Sequence, residues 1–231
     1  MSSLRVSSVL RSLARLSLPR SSSVLFRPTR SFSVSPRALN VSAELSEALK
    51  EEILAEKELE KQGGPSPTFP GFTLTVNEAE VRLTKKHGNE DILVVFNVNH
   101  SVDIAEEVQG EPAPPPVALP PFTIEITKGD QRLCFHLELV EAEQEGEYDF
   151  NVEEFYIAPA VKGNEEDVAA HVYATSGKYI DPNIQELLYI KYLEERGFDG
   201  PFLANLVQFA STHEHRLYIG LLDKIKAFIA K

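Results

Sequence analysis

The sequence predicts an α+β fold, a seven-stranded antiparallel sheet flanked by one N-terminal and two C-terminal helices. Three observations carry that expectation. Apolar residues recur at helical spacing over residues 41–62 and again from 181 to the C-terminus. Between Phe69 and Thr175 they alternate with period two. Few helical stretches separate the alternating runs, so their strands should pair antiparallel.

Val41–Gln62 reads as a charged helix with Ser42 available as a cap, and with Leu45, Leu49 and Ile53 four residues apart. Glu44 and Glu47 near its start and Lys57 and Lys61 near its end suit the helix dipole, and Gly63-Gly64-Pro65 stops it. The strands follow at Phe72–Val76, Ala79–Lys85, Ile92–Val98, Phe122–Thr127, Leu133–Leu139, Tyr148–Ile157 and Ala170–Thr175. Lys86-His87-Gly88-Asn89 and Lys128-Gly129-Asp130 are turn sequences that make hairpins of their neighbours. Gln109–Pro121, with six prolines, reads as a stiff spacer loop.

Asp181-Pro182 starts the next helix and Gly197 stops it. Asp199-Gly200-Pro201 starts the last one, which can run to the C-terminus for about 45 Å at 1.5 Å per residue. A core helix does not need that length. The final helix is therefore expected to pack on the first as a coiled coil. Leu45, Leu49 and Ile53, with Leu217, Tyr218, Leu221, Ile225 and Phe228, are the candidate positions for helix packing and subunit contact.

The formal charge of −12, from 23 basic and 35 acidic residues, is unevenly spread. Residues 1–39 hold seven arginines and twelve serines but no acid, and Leu4–Leu18 can form a basic amphipathic helix. That is the composition of a cleaved mitochondrial targeting peptide. Arg30-Ser31-Phe32-Ser33-Val34-Ser35 resembles the two-step mitochondrial processing pattern, which puts the mature N-terminus near Asn40, whereas a single cut with trimming leaves Ser33 first. Residues 40–231 then form one acidic domain with 16 basic and 35 acidic side chains, a net of −19. Such a body repels nucleic acid, and only Arg82, Lys85 and Lys86 cluster as cations, so RNA contact is expected through partners. The longest apolar run, Ile92–Phe96, is far short of the ~20 residues of a membrane span.

No nucleophile elbow, phosphate loop, dinucleotide fingerprint or paired cysteine is present, so neither cofactor nor metal is expected. Cys134 alternates with core leucines and reads as a small buried hydrophobe. His213 and His215 diverge by about 200° on a helix and cannot face one ion. The unusual feature is acidity. Glu138, Glu141, Glu143, Glu145, Glu147, Asp149, Glu153 and Glu154 fall in 17 residues without a Lys or Arg, and Glu165, Glu166 and Asp167 follow. They form the candidate surface for basic partners. The rival reading, a hydrolase using two of these carboxylates, requires a concave pocket around one shifted carboxyl.

The C-terminal stretch Tyr192-Leu193-Glu194-Glu195-Arg196-Gly197-Phe198-Asp199, followed by Glu214-His215-Arg216-Leu217-Tyr218, resembles the mitochondrial acidic matrix protein family, also called the mitochondrial glycoprotein family. The resemblance implies a strongly twisted sheet, a homotrimer in the mitochondrial matrix and no catalytic residues. It also implies a chaperone or binding role toward basic matrix proteins, such as ribosomal proteins or RNA-processing factors, in support of ribosome assembly, translation and oxidative phosphorylation.

Overall fold

Alternation of apolar and polar residues dictates the middle of the molecule. In the computed structural model, which describes residues 41–62, 64, 66–103, 116–144, 146–160 and 171–231, it becomes a single meander. The strands are β1 (Thr73–Asn77), β2 (Glu80–His87), β3 (Glu90–Asn97), β4 (Val102–Asp103), β5 (Val117–Ala118), β6 (Phe122–Lys128), β7 (Gln131–Glu141), β8 (Tyr148–Pro159) and β9 (Ala174–Thr175). Seven of them form one sheet in the order β1-β2-β3-β6-β7-β8-β9, every neighbouring pair antiparallel. β4 and β5 form a separate two-stranded ribbon. The helices are α1 (Val41–Gln62), α2 (Pro182–Gln185), which continues through a π-helical stretch (Glu186–Lys191) into α3 (Tyr192–Glu194), and α4 (Gly200–Ile229).

Register puts Leu83, Val94, Ile124 and Phe135 in one row across four strands, and all four are fully buried. Phe202, Leu203, Leu206 and Ala210 of α4, with Tyr189 and Leu193, cover that face. The caps follow the sequence signals. Asp181 Oδ1 accepts from the Asn183 N–H at 2.9 Å, and Asp199 Oδ1 accepts from the Phe202 N–H at 2.9 Å. Gly197, at φ +94°, takes the left-handed conformation that ends the preceding segment.

Several expectations shift. Ser42 lies inside α1, which already begins at Val41, so it is no N-cap. β9 is two residues long. The end of the proline-rich segment is a strand, with Val117 and Ala118 pairing to Asp103 and Val102; the Ala118 N–H also donates to Ser211 Oγ at 2.9 Å. Residues 1–39, expected to be a targeting peptide, and Glu145, Glu165, Glu166 and Asp167 lie outside the described residues.

Candidate functional site

The acidic residues concentrate on the β7–β8 hairpin. Glu138 and Glu141 stand on β7, Glu143 and Glu147 in the connection, and Asp149, Glu153 and Glu154 on β8, and all seven are exposed. Gly146, at φ +81°, shapes the turn. The register slips between His136 and Leu137, so Glu153 is the extra residue of a bulge and two successive carboxylates reach solvent. Glu153 Oε1 meets Lys178 Nζ at 3.4 Å, whereas Glu147 and Asp149 have no ion pair among the described residues. Burial, with the Glu141 charge beside it, raises the Tyr148 phenol.

A shallow groove of about 390 Å³ lies alongside this hairpin, between β8 and the α2–π segment. Its walls include Asp149, Val152, Gly177, Gln185, Tyr189 and Ile190. Gly177 is required there, because a Cβ would sit 2.3 Å from the Val152 carbonyl oxygen. Gln185 Nε2 donates to the carbonyls of Gly177 (3.2 Å) and Ile180 (3.1 Å) and holds the floor in place. None of these contacts is visible in local sequence. The lone glycine after Ser176 is the one signal that a close approach occurs.

The recognisable Tyr192–Asp199 motif proves to be a clasp. Arg196 Nε and Nη2 donate to the two carboxylate oxygens of Glu90 at 2.8 and 3.0 Å, and both side chains are buried. The guanidinium also lies 3.3 Å over the Tyr192 ring, and Lys85 Nζ donates to the Arg196 carbonyl at 2.7 Å. Burial opposes the Glu90 charge, but the hydrogen bonds and charges of Arg196 and Lys128 together hold its carboxyl below the usual range. Glu90 is a partner that sequence reading missed, since it follows a turn and resembles any surface acid.

The two α4 histidines part company. His213 Nε2 meets the Glu78 carbonyl at 2.6 Å, and His215 Nε2 meets Glu56 Oε2 on α1 at 2.6 Å. Cys134 is buried on the other sheet face, and burial pushes its thiol up to about 11. Burial likewise pushes its neighbour Tyr156 up to about 12, so neither is a nucleophile at neutral pH. Among the described residues the carboxyl that burial raises is Glu214, which stands beside His215 and Glu56 at the helix pair and does not line the groove. Nothing in this arrangement favours the hydrolase reading.

Of the expected helix contacts, Leu49 and Ile53 are buried against α4, but their partners there are Ile219 and Leu222. Leu217 packs partly on the main core. Leu45, Tyr218, Leu221, Ile225 and Phe228 stay outside the buried core, from Ile225 at 37% exposed to Phe228 at 77%, and Tyr218 lies near Glu52 and Glu56 of α1. α1 and α4 thus pack on each other as expected, through Leu49 and Ile53 against Ile219 and Leu222, and α1 covers a different side of α4 from the one carrying Leu221 and Phe228.

The sequence pattern of the mitochondrial glycoprotein family matches residues 45–229. The chain belongs to that family. "Conserved regulator of innate immunity protein 3" of Caenorhabditis elegans is 57% identical over 99% of this chain and 100% of its own length. The mitochondrial complement component 1 Q subcomponent-binding protein of Bos taurus is 28% identical over 78% of this chain and 69% of its own. Among solved structures, a Leishmania major protein of unknown function, described as a sequence homologue of human p32, superposes with a TM-score of 0.60. It covers 81% of this chain and 98% of its own at 19% identity, a likeness of fold. The mitochondrial glycoprotein family thus accounts for the meander and the terminal helices. Among the described residues no helix is long and apolar enough to cross a membrane.

Proposed function

We propose that this member of the family is a non-enzymatic acidic protein of the mitochondrial matrix that binds basic client proteins and keeps them soluble. In this reading residues 1–39 are the cleaved address and residues 40–231 the working domain. The observation that carries it is the β7–β8 hairpin, whose seven described carboxylates are all exposed in a stretch free of Lys and Arg. Charges on such a surface act over about 8 Å at physiological salt, so clients are held closely and released by salt. The cations that could have formed an RNA-binding face are already engaged. Arg82 pairs with Glu80, Lys86 with Asp91, and Lys85 caps the Arg196 carbonyl. RNA is then met through protein partners. The bovine relative's name records a protein ligand, which supports a binding role.

The clients proposed are ribosomal proteins and RNA-processing factors, which makes the role one in ribosome assembly, translation and thereby oxidative phosphorylation. The assembly proposed is a homotrimer. Leu221, Ile225 and Phe228 supply the uncovered apolar stripe through which subunits can join. Pull-down from matrix extract at 50 and 500 mM salt tests the role: basic proteins should dominate the low-salt eluate and disappear at high salt. Capture of acidic or neutral proteins, indifferent to salt, would refute it. Native mass measurement checks the subunit number.

A further inference from the structure

Ile184, Leu187 and Ile190 project from the α2–π segment, 47%, 58% and 45% exposed, and Tyr179 nearby is 86% exposed. Ile190 also lines the groove. Apolar side chains of this size are seldom left in a row on a surface that has nothing to cover. The groove's volume is enough to seat side chains, within the ~300–1,000 Å³ of ordinary binding clefts. Its wall is acidic on balance, with Asp149 and Glu186 against Lys178. Asp149 is in the wall and Glu147 beside it, both without ion pairs among the described residues, while the local cations Lys178 and Lys191 are taken up by Glu153 and Glu186. An apolar strip bounded by unpaired carboxylates is the complement of a segment with one apolar and one basic face.

We infer that the groove between β8 and the α2–π segment is the docking seat for cationic amphipathic helical segments of client proteins. This rests on the proposed binding role and deepens it, because recognition then depends on where the charges lie relative to an apolar face as well as on their number. The apolar face of the segment covers Leu187 and Ile190 and fills the groove. Its arginines or lysines reach Glu147 and Asp149. Charge brings the segment in, and the apolar contact keeps it when salt screens the charge.

The test uses the full chain and two fluorescent 18-residue peptides of identical composition, leucine and arginine only. In one the leucines share a helical face, and in the other their order is permuted to destroy that face. Binding is read by anisotropy at 50 and 300 mM salt, for the natural chain and for Leu187→Asp and Ile190→Asp, which alter exposed positions. The amphipathic peptide should bind about tenfold more tightly than the permuted one and retain more of its affinity at 300 mM salt. Either substitution should weaken it by about tenfold while leaving the permuted peptide unchanged. Equal binding of both peptides, untouched by the substitutions, overturns the seat but leaves the acidic binding role standing. Failure of both peptides to bind overturns the role and the seat together. A substitution that changes the subunit number and not peptide affinity shows that a second copy covers the strip, and also overturns the inference.

Discussion

The two halves of α4 carry the same kind of apolar pattern and meet different fates. In the first half Phe202, Leu203, Leu206, Val207, Phe209 and Ala210 are all buried under the sheet. In the second, Leu221 and Phe228 continue the side of the helix that holds Leu206 and Ala210, yet they face solvent. Ile219 and Leu222, on the opposite side, are the residues that α1 covers. The helix simply outruns the sheet. Beyond the sheet's edge the stripe has no layer beneath it, and α1 approaches from behind. An unbroken periodicity therefore reports one helix without reporting one partner.

That contrast can be broken, or made sharper, by substitution. The largest effect should come where the α3–α4 corner is tied to the sheet. Arg196→Ala leaves the buried Glu90 carboxylate with only the longer contacts of Lys128 (3.3 Å) and Tyr192 (3.4 Å) and should cost about 3 kcal/mol in urea denaturation. The same pair sets a pH dependence. The folded-state pKa of Glu90 is depressed, so its stabilisation is complete above the ordinary glutamate value of about 4.3 and is lost as pH falls through the lower folded value. Glu90→Gln should flatten that acid limb in stability measured from pH 7 to 3, and an unchanged limb would show that the pair is not the group titrating.

Similar in size is the effect at the sheet-covering half of the helix. Leu206→Ala should cost about 2–5 kcal/mol, because it opens a cavity in a fully buried site. At the helix pair, Glu56→Gln weakens the 2.6 Å contact to His215 and should cost about 1 kcal/mol. The smallest effect on folding belongs to the uncovered stripe. Leu221→Ser with Phe228→Ser should leave the stability of the dilute chain within about 0.5 kcal/mol and should lower its mass in solution. If that pair destabilised the chain as Leu206→Ala does, with no change in mass, the two halves of α4 would be alike after all.

The sheet was legible because period two is local. Phe122, Ile124 and Ile126 announce their face within seven residues, and Gly88 and Gly129 mark the turns. The caps Asp181 and Asp199 were legible for the same reason. What escaped depends on contacts distant in sequence. Glu90 and Arg196 are 106 positions apart, and neither residue type announces a buried partner. The ribbon of Val102–Asp103 with Val117–Ala118 hid behind prolines that argued for a loop. The π-helical stretch Glu186–Lys191, which carries Leu187 and Ile190, interrupts the 3.6-residue count on which a helix reading rests. The acidic hairpin was visible as composition, but its bulge at Glu153 was not.

The pairing of α1 with α4 joins the first described element to the last. Each ladder of the meander closes a short loop, apart from the longer links between β3 and β6 and between β8 and β9, so most of the sheet can assemble strand by strand as the chain becomes available. α1 has no such neighbour. If the chain is delivered N-terminus first, Leu49 and Ile53 wait uncovered until Ile219 and Leu222 arrive. The first helix to appear is then among the last to be sheltered, and completion of the fold is signalled at the place where the beginning of the domain meets its end.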